Sequence, residues 1–173
     1  MDDAEKLYRL DLDGLVVPEG LRSGRWAVRR IEARDVDFVV DCKVGLSVES
    51  LHEEDTPALR ESLRASVERS VGERRTWVLE DGGLPVATSN FNAAIREAVQ
   101  IGGVYTPPPY RRRGYARSVV AASLLDARAD GAETAILFTG HDNLPAQRAY
   151  TALGFRQIGE YRLLMLREPL QEL

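Results

Sequence analysis

The stretch VYTPPPYRRRGYARSVV, residues Val104–Val120, decides the fold. An apolar strand-like segment leads through three prolines and three arginines into a glycine and a sequence with helical spacing. A strand, a tight turn and a helix in this order are typical of anion sites, because the first N–H groups of a helix lack intrahelical partners. Gly114 leaves room for a ligand, and arginines add charge-assisted contacts to phosphate. The turn predicts a pyrophosphate site, although a solvated arginine cluster has the same pattern.

Composition limits the classes of function that this turn can serve. The chain has 173 residues and a net charge of −4, which favours one globular domain and argues against a dedicated nucleic-acid binder. One cysteine excludes an intrachain disulfide, and no apolar run has membrane-spanning length. Together with an N-terminus that lacks a signal-peptide core, these features predict a cytoplasmic protein without membrane contact. Two histidines and one cysteine predict no zinc site.

Hydrophobic periodicity predicts a mixed α/β fold. Residues 1–24 are interpreted as an N-terminal extension that docks on a single domain spanning 25–173. From residue 25 onward the predicted order is β-α-α-β-β-β-α-β-α-β, which indicates a mixed central sheet with helices on both faces. Glycines inside the third strand of the central run predict a bulge or a close approach by a ligand. Predicted elements include a strand at Arg25–Ile31, helices at Ala33–Ser50 and Pro57–Val71, a hairpin turn at Asp81–Gly83, a covered central strand at Thr134–Thr139 and closing strands within Phe155–Leu166.

Three segments together resemble the GNAT superfamily of N-acetyltransferases, especially its FR47-like branch. In that family an R/Q-x-x-G-x-G/A turn binds the pyrophosphate of coenzyme A, and Arg111, Gly114 and Ala116 match it, with alanine in the last place. A later family motif consists of an asparagine, then a short helix with a tyrosine, then Gly-Phe, and residues 143–155 match it. The segments that carry the resemblance are IGGVYTPPPYRRRGYARSVVAASLLD, AILFT and NLPAQRAYTALGF.

The resemblance implies a GNAT-like sheet and acetyl-CoA as co-substrate, without a metal. The strand before the turn would contact the acetyl group and the pantetheine arm, and the turn would bind the pyrophosphate. Asn143 would either contact the coenzyme or cap the short helix. The implied coenzyme-binding residues are Val104, Tyr105, Thr106, Arg111, Arg112, Arg113, Gly114, Tyr115, Ala116, Arg117 and Asn143.

The implied activity is transfer of an acetyl group to a primary amine by direct attack on the thioester. Tyr150 would act as the general acid, because an unperturbed phenol is neutral near pH 7. Many family members carry a glutamate on the strand before the turn, but Gln100 occupies that neighbourhood here and cannot act as a base. Glu97 is the residue that we predict as the base. The alternatives are Glu80, Glu160 and His141, and removal of the proton through ordered water is the default.

A second function stays open, namely a degenerate GNAT domain that binds acyl-CoA as a sensor or partner module without turnover. For an active enzyme, the expected partner is a small-molecule or protein amine, not a nucleic acid. Because many family members dimerise, a homodimer is one candidate assembly. An acidic segment between the first two helices favours a cationic amine, although a solvated loop has the same composition. Its carboxylates are Glu49, Glu53, Glu54 and Asp55.

Overall fold

The computed structural model describes residues 2–164, with side chains from residue 5 to residue 160. Its strands form one seven-stranded sheet in the order β2-β3-β4-β5-β6-β1-β7, with helices on both faces. The predicted mixed α/β class is therefore confirmed. The strands are β1 Asp2–Asp11, β2 Ala27–Arg30, β3 Thr76–Asp81, β4 Leu84–Ala94, β5 Ala98–Tyr105, β6 Thr134–Gly140 and β7 Arg156–Leu164. The helices are α1 Glu19–Arg22, α2 Val36–Leu51, α3 Pro57–Glu73, α4 Tyr115–Ala129 and α5 Leu144–Thr151.

Two apolar clusters hold the helices onto the sheet. On one face α2 and α3 pack around Val67 and Val78, which are fully buried. On the other face α4 and α5 pack around Trp77 and Leu124. Cys42 is buried within α2, and desolvation raises the pKa of its thiol to about 12, so it behaves as a packed side chain. None of the described helices is long and apolar enough to cross a membrane.

The observed elements lie close to their predicted positions, with local differences. The helix predicted from Ala33 begins with a 3-10 turn at Ala33–Asp35 and becomes α-helical at Val36. β6 alternates between buried and half-buried residues, so it is not fully covered on both faces as its apolar run suggested. The predicted domain end at residue 173, and the last two residues of the predicted closing strands, lie outside the described part of the chain.

The N-terminal segment forms a strand inside the sheet. β1 lies between β6 and β7 and pairs antiparallel with both. Tyr8 and Leu10 on this strand are 5% and 4% exposed, so they belong to the core. The division at residue 25 into an extension and a domain stays a prediction, but this strand is an integral element of the sheet rather than a surface attachment.

The sheet opens between β5 and β6. These parallel strands pair only where Ala98–Gln100 faces Thr134–Ile136. Beyond that point β5 continues to pair with β4 as far as Tyr105, while β6 continues with β1 as far as Gly140. Within the described strand pairings, the β6-facing edge of β5 after Gln100 therefore has no partner strand. This gap ends beside the N-terminus of α4.

Candidate active site

The turn before α4 presents a row of backbone N–H groups. The first intrahelical bond runs from the Ser118 N–H to the Gly114 carbonyl at 3.1 Å, so the preceding N–H groups at the helix start have no acceptor inside the helix. Gly114 has φ +86° and Arg112 has φ +63°. Successive N–H groups around left-handed residues form concavities that bind anions. The helix dipole adds partial positive charge at the same place.

The gap between β5 and β6 exposes unpaired backbone groups of β5 that a ligand could reach, in addition to the N–H groups of the turn. Register shifts interrupt the β4–β5 pairing, and Gly103 within them has φ +54°. A Cβ at this glycine would lie 1.8 Å from the side-chain oxygen of Asn90, so a larger residue would have to displace that side chain as well as adopt a positive φ. At the end of the gap, the Thr106 hydroxyl is buried without a hydrogen-bond partner among the described residues. An extended ligand arm can therefore lie along β5 and find donors and acceptors there.

Arg111 is held by a network that links the turn to α2. Its Nε donates to the Thr106 carbonyl at 2.9 Å, and one terminal nitrogen contacts both Glu49 oxygens at 2.7 and 2.8 Å. The Tyr105 hydroxyl donates to Glu49 at 2.8 Å, and the Arg111 guanidinium lies 5.4 Å from the Tyr105 ring centroid. Gly45 makes room for this phenol, since a Cβ there would lie 2.4 Å from the Tyr105 oxygen.

The network sets the charge states of its members. Partial burial alone would raise the pKa of Glu49, but the hydrogen bonds from Arg111 and Tyr105 hold that pKa below its usual value. Burial, together with the neighbouring Glu49 carboxylate, raises the pKa of Tyr105 to about 12. Glu49 is therefore a carboxylate and Tyr105 a neutral phenol throughout the physiological range. A carboxylate with a lowered pKa is a weak base but a good partner for a cation.

Tyr150 and Asn143 lie on the short helix that follows β6. Tyr150 is 9% exposed and meets Phe155 edge-to-face, with ring centroids 5.9 Å apart. Desolvation raises the pKa of its phenol to about 12. Asn143 caps α5, accepting a hydrogen bond from the Ala146 N–H at 3.2 Å. Because β5 and β6 run parallel, α5 starts at the sheet edge where β5 ends.

The sequence of residues 45–155, well over half of the 173-residue chain, matches the model of the acetyltransferase (GNAT) family. This chain is a GNAT acetyltransferase domain. Membership implies acetyl transfer that depends on acetyl-CoA. No curated protein is significantly similar to the chain in sequence.

Several solved structures share the GNAT fold at low sequence identity. A GNAT-family acetyltransferase from Colwellia psychrerythraea has a TM-score of 0.67 at 14% identity, covering 94% of this chain and 55% of that one. A GCN5-related N-acetyltransferase from Kribbella flavida has a TM-score of 0.61 at 21% identity, covering 89% and 54%. A protein from Clostridium acetobutylicum, described as a predicted acetyltransferase with acetyl-CoA, has a TM-score of 0.58 at 15% identity, covering 85% and 95%.

The chain is shorter than many of these GNAT structures. It spans 50% of a Drosophila protein of this fold, 63% of a Novosphingobium aromaticivorans protein and 55% of the Colwellia protein. At identities of 14 to 17% these likenesses show the fold alone. The finer similarity to the FR47-like branch stays a prediction.

The GNAT turn and the predicted base do not come together. Glu97 is exposed in the connection between β4 and β5, one residue before β5 begins, whereas the turn follows the other end of that strand. The strand separates it from Tyr105 by roughly 25 Å. A base must reach the reacting amine within hydrogen-bonding distance or through one water, so this position corrects the assignment of Glu97.

The other base candidates fall into two groups. Glu80 is held by Arg29 at 2.5 Å on β3 and is committed to an ion pair. His141 follows β6 at the edge that carries the turn, with Nε2 3.9 Å from a Glu160 oxygen. Glu49, whose carboxylate contacts Arg111 of the turn, was placed by the sequence only among the acidic residues of a loop. Spacing carries no signal for its contact with Arg111, because 62 positions separate the two residues.

The side chains around the turn divide into core and surface. Tyr115 is 3% exposed and donates a hydrogen bond to Asp81, so it anchors α4. The side chains of Arg112, Arg113 and Arg117 are exposed. Val104 packs against the cluster beneath α4. Among the predicted coenzyme residues, the structure thus brings the backbone of the strand end and of the turn to one edge, with the arginine side chains around it.

Proposed function

We propose that the protein is an acetyl-CoA-dependent N-acetyltransferase that moves an acetyl group to a primary amine by direct attack on the thioester. The observation that carries this proposal is the unpaired backbone at the open edge of β5, followed along the chain by the free N–H groups at the start of α4. The edge after Gln100 suits the extended pantetheine arm, and the N–H groups around Gly114 suit the pyrophosphate. Both ligand parts belong to one molecule, acetyl-CoA.

Direct attack requires that the ammonium of the acceptor first lose one proton to become a neutral amine. The nitrogen then loses a second proton after it attacks, the thiolate gains one, and the charge on the carbonyl oxygen is stabilised. The neutral amine nitrogen forms a bond to the thioester carbonyl carbon, the carbon–sulfur bond breaks, nitrogen loses one proton and sulfur leaves as a thiolate. Backbone N–H groups near Tyr105 polarise the carbonyl oxygen. The Tyr150 phenol, whose pKa is about 12, donates a hydrogen bond to the developing thiolate and keeps its own proton, and solvent then protonates the thiolate.

The acceptor that we propose is a cationic amine, either a small molecule or a protein lysine. Glu49 supplies an ionised carboxylate beside Tyr105, and its side chain is 44% exposed, so a second cation can reach it. Glu53 and Glu54 are exposed just after α2 and add negative charge on the same side. Because the lowered pKa of Glu49 makes it a poor proton acceptor, it recognises the acceptor while ordered water removes the proton.

Turnover of acetyl-CoA with a panel of amines, followed by thiol release, tests the proposal. The panel contains a polyamine, an aminoglycoside, a lysine peptide and an uncharged or acidic amine as comparison. Thiol release with the cationic members supports the proposal. Coenzyme binding without turnover across the panel would instead support the sensor function, and the absence of coenzyme binding would overturn both.

Two glycine variants test whether the turn before α4 is the coenzyme site. Gly114 and Gly131 both have positive φ, +86° and +100°, and lie at opposite ends of α4. Valine strains the backbone at both places. We expect Gly114→Val to raise the KM for acetyl-CoA at least about tenfold by covering the free N–H groups, while Gly131→Val leaves KM unchanged. Equal KM values for acetyl-CoA in the two variants would show that the turn before α4 is not part of the coenzyme site.

A further inference from the structure

Two asparagine side chains, Asn90 and Asn92, lie side by side on the sheet face that carries α2. The Asn90 Nδ2 donates a hydrogen bond to the Asn92 Oδ1 at 3.0 Å. Thr88, two residues before Asn90 on β4, pairs with Val78 in the cluster beneath α2 and α3. Because side chains alternate along a strand, Asn90 points to that same face. Tyr105 pairs with Thr88 and also reaches α2 on this face, so the asparagine pair and Tyr105 share one side of the sheet.

Two glycines of β5 make room for the asparagine pair. A Cβ at Gly102 would lie 2.0 Å from the Asn92 Oδ1, and a Cβ at Gly103 would lie 1.8 Å from the Asn90 Oδ1. Both carboxamides therefore lie directly over the backbone of β5. Within the described strand pairings, the β6-facing edge of β5 has no partner at these two glycines, since its pairing with β6 ends at Gln100. The asparagine pair thus borders the open edge along which we propose that acetyl-CoA lies.

The asparagine pair keeps unused hydrogen-bonding groups. Apart from the bond between them, neither side chain forms a hydrogen bond with any residue that the structure describes. The Asn90 Oδ1 can therefore accept a bond from a ligand, and the Asn92 Nδ2 can donate one. Asn92 is exposed and Asn90 is half-buried, so a ligand can reach both from the solvent. A free acceptor and a free donor lie next to each other at this place.

An adjacent donor and acceptor match the backbone of an extended peptide. In such a backbone the N–H and the C=O of one residue point to the same side, which is how paired antiparallel residues exchange two hydrogen bonds. The Asn90 Oδ1 suits the N–H of such a residue, and the Asn92 Nδ2 suits its C=O. A polyamine has no carbonyl group and cannot use both asparagines in this way.

We propose that the asparagine pair binds the N–H and the C=O of the lysine residue that is acetylated, so that the acceptor is a lysine within a peptide. The proposal rests on the proposed function, because it takes the thioester carbonyl to lie near Tyr105. Tyr105 is two residues beyond Gly103, roughly 7 Å along the strand. An extended lysine side chain spans about 6 Å from its Cα to its amine. A lysine residue held on the asparagine pair therefore has the reach to bring its amine to the thioester.

Two lysine acceptors that differ by one N–H test this inference. Both are Nα-acetyl-lysine methylamide, and the second carries a methyl group on its acetylated α-nitrogen, so amine and charge are the same. The wild-type kcat/KM should favour the first acceptor about tenfold, as expected when a hydrogen bond is lost. Asn90→Ala should bring the two kcat/KM values together, and Asn92→Ala should lower both, because both acceptors keep the C=O.

Gln157→Ala is the matched control for the asparagine variants. It also removes an exposed carboxamide, but from β7, which lies beyond β5, β6 and β1 as seen from β4. This variant should keep the wild-type preference. Thermal unfolding checks that each variant is folded, and calorimetry should give one dissociation constant for acetyl-CoA in the wild type and in Asn90→Ala.

The outcomes separate this inference from the proposed function. If the lysine compounds are acetylated but the preference is absent, or persists in Asn90→Ala, the asparagine pair does not bind the acceptor while the proposed function stands. Acetylation of a polyamine or an aminoglycoside with no turnover of either lysine compound would overturn the inference in the same way. A weaker affinity of Asn90→Ala for acetyl-CoA would assign the pair to the coenzyme instead. If no amine is acetylated, both proposals fail.

Discussion

Tyr150 is the residue whose hydroxyl can be removed without altering the shape of the core. Its phenol is buried and its pKa is about 12, so it stays neutral at any working pH. Tyr150→Phe keeps the edge-to-face contact with Phe155 but loses the hydrogen bond to the departing sulfur. We expect kcat to fall about 10- to 100-fold, the value of one hydrogen bond to a charged group, while the dissociation constant for acetyl-CoA stays the same. Thiol-release kinetics and calorimetry measure the two quantities.

The pH profile provides a second check on Tyr150. Because burial raises its pKa, the phenol loses its proton only as the pH rises to about 12. The wild-type rate should therefore show no loss assignable to a tyrosine between pH 8 and 10. Full kcat in Tyr150→Phe, or a loss of rate between pH 8 and 10 that the wild type shows and Tyr150→Phe lacks, would contradict the assigned role.

Gly45 and Gly72 lie within neighbouring helices and face different surroundings. A Cβ at Gly45 would meet the Tyr105 phenol at 2.4 Å, whereas nothing lies within 4 Å of a Cβ at Gly72. Gly72→Ala should stabilise the protein by about 0.5–1 kcal/mol, because alanine favours helix. Gly45→Ala should gain less or lose stability, and it should raise KM by pushing Tyr105 away from Glu49. Thermal unfolding and steady-state kinetics compare the pair, and equal behaviour would show that the Tyr105–Glu49 contact is unimportant.

The sequence predicts those residues of the site whose roles follow from local backbone. Gly114 and Asn143 occupy a helix start, and local rules identify both. Glu49 could not be predicted in the same way, because its contact with Arg111 is made across the fold. Glu97 was misplaced because distance along the sequence does not tell which end of an extended strand faces the reaction.

At the scale of the elements, a charged cluster fixes the join between β2 and α2. Asp35 is 4% exposed and accepts from both terminal nitrogens of Arg29 at 2.6 and 2.9 Å, while Glu80 on β3 binds the same guanidinium. Asp35 also accepts from the Glu32 N–H at 2.7 Å. Burial opposes its charge, but these hydrogen bonds keep its pKa below the usual value.

Replacing Asp35 should therefore lower stability in a pH-dependent manner. Asp35→Asn leaves the Arg29 charge half-buried, and we expect a loss of about 2–3 kcal/mol at pH 7 in the free energy of unfolding. Since the folded pKa lies below the unfolded value of about 3.9, the Asp35 contribution is complete above that value and disappears as the pH falls through the folded pKa. The gap between variant and wild type should narrow below about pH 4.

Asp37→Asn is the matched control for Asp35. Asp37 lies two residues along the same segment and pairs with Arg64, but its side chain is 83% exposed. Exposed pairs contribute little, so this variant should change stability by less than about 1 kcal/mol. Chemical denaturation at pH 7 and at pH 3.5 distinguishes the two positions. A loss at Asp37 as large as that at Asp35 would show that burial does not decide the effect.

The gap between β5 and β6 could be predicted only in part from the sequence. Gly102 and Gly103 predict an irregular strand, and the register shifts between β4 and β5 occur there. The opening on the other side depends on where β5 and β6 stop pairing, after Gln100 and Ile136, which local sequence does not encode. The prolines and the apolar face of α4 indicate where β5 ends and α4 begins. The distance over which β5 and β6 separate depends on long-range strand pairing.

At the scale of the whole molecule, β1 joins the edge strand β7 to the rest of the sheet through β6. Leu10 is 4% exposed on this strand and Arg9 beside it is exposed, as alternation in a strand requires. Leu10→Ala should cost about 2–4 kcal/mol of unfolding free energy by leaving a cavity. Arg9→Ala should change it by less than about 1 kcal/mol. Denaturant titration of both variants measures this; a neutral Leu10→Ala would mean that β1 is not part of the folding unit.

The position of β1 was missed although its pattern is present in the chain. Tyr8, Leu10 and Leu12 are buried at a spacing of two, which is the period of a strand. The interpretation as an extension followed from its place before the recognisable elements. Nothing in a local pattern shows that a first strand will lie between two strands separated from it by more than 120 positions.

That arrangement has a consequence for synthesis on the ribosome. β1 leaves the exit tunnel before either of its neighbours, and it finds neither until the chain has been extended through β6 and β7. The sheet therefore has a large share of contacts between distant positions, and such topologies fold slowly. Until then the apolar face of β1 is exposed on the nascent chain, where it can pair wrongly or be covered by a chaperone. Co-translational folding should be complete only after residue 164 has emerged.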